Sequence, residues 1–256
     1  KLPILLHEQN AVPGLANKVA ARFTDHVYTS FPDTPLPHAE HLGMPIRRSI
    51  VDLDVAVVGP QARAEFDLPI EGPVLLVSGG SQGARSINTA VREALPQFLD
   101  RGISVLHVLG RANMTDDILA VDAPAARYRP VPYVAAMERA YAAADLIVAR
   151  SGAGTVCEVS AVGLPAVYVP LPIGNGEQKL NSRDVVAAGG GIVVDNDDFT
   201  PAWIDENLVP LVRDEERLAA MRRAAAGQGH ADPDIALGMA DEAGAESVDQ
   251  VEEGVV

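Results

Sequence analysis

Val74-Leu75-Leu76-Val77-Ser78-Gly79-Gly80-Ser81-Gln82-Gly83-Ala84 passes from an unbroken apolar run, through a glycine-bearing loop, into residues of helical spacing. An apolar run without polar alternation suits a strand covered on both faces, as in a parallel sheet. Where such a strand feeds a helix, glycines let the backbone approach a ligand. The first helical turn then offers unpaired N–H groups and the positive end of its dipole. A diphosphate fits that corner. The loop lacks the Lys-Ser/Thr ending of a nucleoside-triphosphatase P-loop, and it is not G-x-G-x-x-G. Taken alone, it reads equally as a tight turn built for packing.

The same transition recurs. His7-Glu8-Gln9-Asn10 follows apolar residues 2–6, and Ser151-Gly152-Ala153-Gly154-Thr155-Val156-Cys157-Glu158 follows 146–150. Gly176-Glu177-Gln178-Lys179-Leu180-Asn181 follows 166–169. Apolar periodicity predicts strands over 2–6, 26–30, 74–78, 104–109, 128–131, 146–150, 166–169 and 191–194. It predicts helices over 13–22, 61–66, 84–95, 113–121, 135–144, 154–162, 175–188, 201–208 and 215–226. This alternation specifies an α/β fold with a doubly wound parallel sheet over 73–227. Residues 31–42, with Pro32, Pro35 and Pro37, read as loop with a short extended piece. Residues 1–45 read as the last part of a second domain, 46–72 as an interdomain linker, and 228–256 as a C-terminal helix and an acidic flexible tail.

Apolar residues make up 48% of the 256, and aromatics only 4%, so Ala, Val and Leu carry the core. The net charge of −15 argues against a general nucleic-acid binder and against a polybasic membrane surface. It leaves phosphate binding open, because backbone N–H groups hold phosphate without net positive charge. The single Cys157 rules out an intrachain disulfide. Lys1-Leu2-Pro3-Ile4-Leu5-Leu6 reads as a strand in progress, without an initiator Met or signal-peptide pattern, so the chain is expected to begin inside a domain.

If a helix starts near Ala153, Gly154 and Glu158 share a face. A carboxylate one turn into a helix suits both hydroxyls of a ribose, while the helix start holds a phosphate or sugar; the competing reading of Glu158 is an exposed helix charge. Amides and a carboxylate at 175–181 suit sugar hydroxyls, which need donors and acceptors; the competing reading is a capped, Gly-flanked helix. Arg47, after a Gly-Met-Pro turn, is placed to meet a phosphate or a base carbonyl, or is a surface charge. His7 and Glu8 lack H-E-x-x-H spacing, and adjacent residues of one loop do not all face one ion, so no metal site is expected. His26, His38, His41, His107 and His230 read as structural.

The segments 7–10 and 13–18, then 43–47, 78–85 and 150–158, in this order, resemble the MurG family, bacterial N-acetylglucosaminyltransferases that make the peptidoglycan precursor lipid II. Residues 170–178 are similar to the form typical of high-GC Gram-positive bacteria. The resemblance implies a two-domain GT-B fold with the active site in the cleft. It implies inverting transfer of GlcNAc from UDP-GlcNAc to the 4-hydroxyl of MurNAc on undecaprenyl-diphosphate-MurNAc-pentapeptide. No metal or other cofactor is implied, UDP-GlcNAc being a substrate. The implied setting is peripheral, at the cytoplasmic face of the plasma membrane, with membrane contact through the N-terminal half.

Residue by residue, the resemblance puts Ser81 and Gln82 against the donor diphosphate with Gly154 and Thr155 near it, and Arg47 near the nucleotide. It puts the Tyr133-Val134 backbone and Met137 around the uracil, and Glu158 on the ribose. Gln178 and Asn181 lie by the sugar, which Asn10 reaches from the other domain. Where many members carry Gln-Gln, this chain carries Glu177-Gln178, which leaves the role of Glu177 open. The family's first Gly-rich loop, ending in a His near the acceptor diphosphate, has no counterpart. The chain is therefore expected to bind UDP-GlcNAc weakly and not to transfer it alone. The catalytic base is unassigned, and His7 and Glu8 are candidates for shaping the cleft. Another GT-B transferase with the same donor, and a non-catalytic nucleotide-sugar-binding module, are the alternative readings.

Overall fold

The computed structural model describes residues 4–80, 84–115, 124 and 127–228. Ser81 and Gln82, most of the helix expected over 113–121, and the expected tail from 229 onward lie outside the described residues.

The chain opens with β1 (Leu6–Glu8), α1 (Leu15–Ala20), β2 (Val27–Thr29) and β3 (Ala39–His41), which form a parallel sheet in the order β1-β2-β3. Then come α2 (Arg48–Val51) and α3 (Val55–Glu65). The expected helix over 61–66 is longer than its reading, because the Asp54 carboxylate accepts from the N–H groups of Ala56 (3.0 Å) and Val57 (3.2 Å) and starts α3 upstream of Pro60. The stretch 46–72 is not an open connection. Ile46, Ile50, Ala62 and Leu68 are buried in the same core as the second sheet, and Arg63 Nε donates to the Ala143 carbonyl (3.0 Å).

The second unit contains β4 (Val74–Ser78), α4 (Arg85–Glu93), α5 (Leu95–Asp100), β5 (Ser104–Val108), β6 (Tyr128–Val131) and α6 (Met137–Ala143). It continues through β7 (Leu146–Ala149), α7 (Ala153–Val162), β8 (Ala166–Tyr168), α8 (Glu177–Asn181), α9 (Arg183–Ala187) and β9 (Gly191–Val193). It closes with α10 (Pro201–Trp203), α11 (Val209–Val212) and α12 (Glu215–Ala226). All six strands are parallel, in the order β6-β5-β4-β7-β8-β9. Leu76 and Ile147 pack into the core on one face, and Leu75, Leu146 and Val148 into that on the other, which is why apolar residues follow one another without polar alternation in β4 and β7.

Several helices depart from their sequence reading. The helix expected over 84–95 is α4 followed by α5, with Pro96 in the first turn of α5. The segment 175–188 begins only at Glu177, because Gly176 has φ +81°, and it breaks at Ser182, whose hydroxyl bonds back to the Lys179 carbonyl (3.3 Å). The helix expected over 201–208 continues through a π-helical turn, Ile204–Leu208, into α11. Residues Arg111–Asn113 form a 3₁₀ turn.

Candidate functional site: the crevice between β4 and β7

The chain winds from β4 outward to β6, then returns to β7 and winds the other way, so connections leave β4 and β7 in opposite directions. At such a reversal the two exit loops separate and leave a crevice beyond the carboxyl ends of the strands. Ser78 pairs with Ala149, which sets the Gly79-Gly80 loop beside the Arg150-Ser151-Gly152 loop. Gly80 has φ +82°, a conformation that favours glycine. A Cβ built on Gly80, Gly152 or Gly154 meets nothing within 4 Å, so the space over these backbones is open. Gly152 caps α7 without a side-chain acceptor, leaving the first-turn N–H groups available to an anion.

A cavity of about 210 Å³ lies in this crevice, and Arg47, Ser78, Gly80, Val134, Met137, Thr155 and Glu158 share its wall. Glu158 Oε2 accepts from the Tyr141 hydroxyl at 2.7 Å, and its Oε1 stands 3.7 Å from Arg47 Nη2. Burial, then the Glu158 charge, hold the Tyr141 hydroxyl well above the usual phenol range, so it remains a donor. Tyr133 also lines the cavity, with Arg111 Cζ 5.0 Å from its ring centroid.

Residues 74–236 match the glycosyltransferase family 28 C-terminal domain. The chain belongs to that family. It is 53% identical over 231 residues to the UDP-N-acetylglucosamine--N-acetylmuramyl-(pentapeptide) pyrophosphoryl-undecaprenol N-acetylglucosamine transferase of Nocardia farcinica, covering 90% of this chain and 61% of that protein. It is 50% identical over 243 residues to the Streptomyces avermitilis protein of the same name, covering 94% of this chain and 67% of that one. The chain thus spans about three-fifths of the Nocardia relative's length. Among solved structures, Acinetobacter baumannii MurG aligns with a TM-score of 0.72 at 29% identity, over 93% of this chain and 65% of that one. Os79 of O. sativa, solved with UDP, aligns with a TM-score of 0.65 at 18% identity, over 89% and 56%, and shows the likeness of fold alone. The parallel α/β architecture and the GT-B likeness are as the sequence implied.

The family 28 domain meets the first unit at an amide corner. Asn181 is 2% exposed. Its Nδ2 donates to Asn10 Oδ1 (3.2 Å) and to the Ser151 carbonyl (3.2 Å), and its Oδ1 accepts from the Ala11 N–H (2.9 Å). Gln178 shares α8 with Asn181, and its Oε1 accepts from the Leu171 N–H (3.0 Å). Glu177 Oε2 accepts from the Asn175 N–H (3.2 Å), which closes the turn that leads into α8.

Glu8 is buried, and its carboxylate accepts from the N–H groups of Asn10 (2.9 Å) and Gly14 (3.0 Å) and from Asn17 Nδ2 (2.8 Å). It organises the loop that carries Asn10. His7 Nε2 lies 3.1 Å from the Gly43 carbonyl, tying β1 to the turn before Arg47. Sequence reasoning missed Tyr141 and Ser86. Tyr141 hides in the apolar face of α6, and Ser86 looks like any first-turn serine. The available signal for Ser86 was its partner Arg150, a lone cation at the end of an apolar strand, whose Nη2 donates to the Ser86 hydroxyl.

Proposed function

We propose that this family 28 domain holds UDP-GlcNAc for inverting transfer of GlcNAc to the 4-hydroxyl of MurNAc on undecaprenyl-diphosphate-MurNAc-pentapeptide, the step from lipid I to lipid II. The names of the Nocardia and Streptomyces relatives support this donor and acceptor. The observation that carries the proposal is the crevice cavity, whose wall joins Arg47, Ser78, Val134, Met137, Thr155 and Glu158 from four separate stretches of chain. In this arrangement the uracil packs against Val134 and Met137. The ribose hydroxyls donate to Glu158, a carboxylate that only accepts. The diphosphate sits at the N-terminal ends of α4 and α7, and the sugar turns toward Asn10 and Gln178, with Asn181 behind them.

Charge develops on UDP as the glycosidic bond breaks, and fixed N–H groups at the helix ends stabilise it without reorganisation. No metal or cofactor is assigned a part. A general base must take the acceptor proton; Glu8 is committed to its loop and is not offered for that role. The acceptor is a lipid, so the protein acts peripherally at the cytoplasmic membrane face. No described helix is long and apolar enough to cross a membrane. Membrane contact falls to the part of the longer relatives that this chain does not cover.

Titration calorimetry with UDP-GlcNAc, UDP and 2′-deoxy-UDP tests the donor site. Glu158→Gln keeps an acceptor for Tyr141 but loses the charge, and it is expected to weaken UDP binding about 10-fold or more. Binding of 2′-deoxy-UDP is expected to change much less. Equal loss for both nucleotides, or no UDP binding by the unaltered chain, overturns the donor assignment. A transfer assay with lipid I on the complete protein separates the named acceptor from others.

A further inference from the structure

We propose that Arg150 is a positioning residue that binds together the loops gripping the donor, an inference that rests on the UDP-GlcNAc proposal above. Arg150 directly follows the carboxyl end of β7. Its Nη1 donates to the carbonyls of Val169 (2.9 Å) and Pro170 (3.0 Å), and its Nη2 donates to the Ser86 hydroxyl (2.9 Å). Ser86 donates in turn to Asn196 Oδ1 (2.8 Å). One guanidinium therefore joins three corners of the sheet end. These are the first turn of α4, the exit of β8 that leads to Gln178, and, through Ser86, the loop after β9.

The need for such a strut is visible in the sheet register. The last pair between β8 and β9 is Tyr168 with Val193, so the carbonyls of Val169 and Pro170 lie past the ladder and have no strand donor there. Backbone carbonyls at a partly buried corner require a partner. A planar guanidinium meets adjacent carbonyls and a hydroxyl at once, whereas an ammonium is a point donor on a flexible stem. With three of its N–H groups spent on protein acceptors, Arg150 acts by geometry: it sets the direction of the first-turn N–H groups of α4 and the reach of the Gln178 loop.

Arg150→Lys and Ser86→Ala test this in the present chain. Amide exchange of the ligand-free protein is read at Leu171, whose N–H is held by Gln178, and at Asn88, whose N–H is held by the Ala84 carbonyl. Arg150→Lys is expected to speed exchange at Leu171 by about fivefold or more, and to weaken UDP-GlcNAc binding about tenfold although the charge is kept. Ser86→Ala is expected to speed exchange at Asn88 and to weaken binding about threefold. The double variant is expected to bind no worse than Arg150→Lys, because both act through one link. Unchanged exchange, with affinity retained in Arg150→Lys and Ser86→Ala, makes Arg150 a plain charge or a direct phosphate ligand and overturns the proposal. If the unaltered chain does not bind UDP-GlcNAc, the donor assignment fails on its own, and the exchange data still decide whether Arg150 holds these loops.

Discussion

His107 illustrates how a single residue sets a pH limit on the fold. It lies buried in β5, with Nε2 3.1 Å from Asn88 Oδ1 and Nδ1 3.2 Å from the Tyr128 hydroxyl. Asn88 Nδ2 donates to the Leu109 carbonyl (3.0 Å), so Asn88 Oδ1 is an acceptor and Nε2 carries the hydrogen. Burial, then the Arg92 cation, push the imidazole down from 6.5 to about 3. The unfolded chain takes up this proton near pH 6.5 and the folded one does not, so the stabilisation is complete above pH 6.5 and is lost as pH falls toward 3. The loss attributable to this one group is about 2 kcal/mol between pH 7 and pH 5. Urea melts at the two pH values are expected to show that loss in the native chain and a smaller one in His107→Gln. Parallel losses in both proteins sink this assignment. With no partner pattern in the sequence, His107 reads as structural.

Elements were legible where burial is symmetric. Strands β4, β5 and β7 are buried along their whole length, so β7 and the first four residues of β4 are uninterrupted apolar runs, while β5 is apolar apart from Ser104 and His107. Helix ends were less legible, because caps and local side-chain bonds decide them. Asp54 starts α3 early, and Ser182 splits the segment read as one helix. Packing between elements leaves a sharper mark at Gly190, before β9. A Cβ there would stand 2.6 Å from the backbone N and Cα of Ala225 in α12, and backbone does not yield as a side-chain tip does. Gly190→Ala is expected to cost about 1–3 kcal/mol in chemical denaturation. Gly14→Ala, where a Cβ meets nothing within 4 Å, is expected to stay within about 0.5 kcal/mol of the native protein. Equal midpoints for the two variants contradict the close approach of α12 to the sheet.

At the scale of the whole molecule, Asn181 joins the two sheets: its amide links the Asn10-Ala11 loop of the first unit to the Ser151 corner of the second. Asn181→Ala strands the Ala11 N–H and the Ser151 carbonyl, at about 1–3 kcal/mol for each buried group left unpaired. Amide exchange at Ala11 is expected to rise, and affinity for UDP-GlcNAc to fall more than affinity for UDP, because Asn10 loses its support. Unchanged exchange at Ala11 rules out this link. The family resemblance puts Asn181 beside the sugar; in this structure its amide meets Asn10, Ala11 and Ser151, the loops that flank that end of the crevice. Strand identity, the glycine corners and the family motifs were determined by the sequence alone, because burial on both faces, backbone freedom and short recognition motifs are written into neighbouring residues. Only the tertiary structure decided that the corners after β4 and β7 stand side by side, that Tyr141 holds Glu158, and that Arg150 and Asn181 tie distant loops together. Those distances come from the order in which strands add to a sheet, and the packing of the whole core, not any local pattern, selects that order.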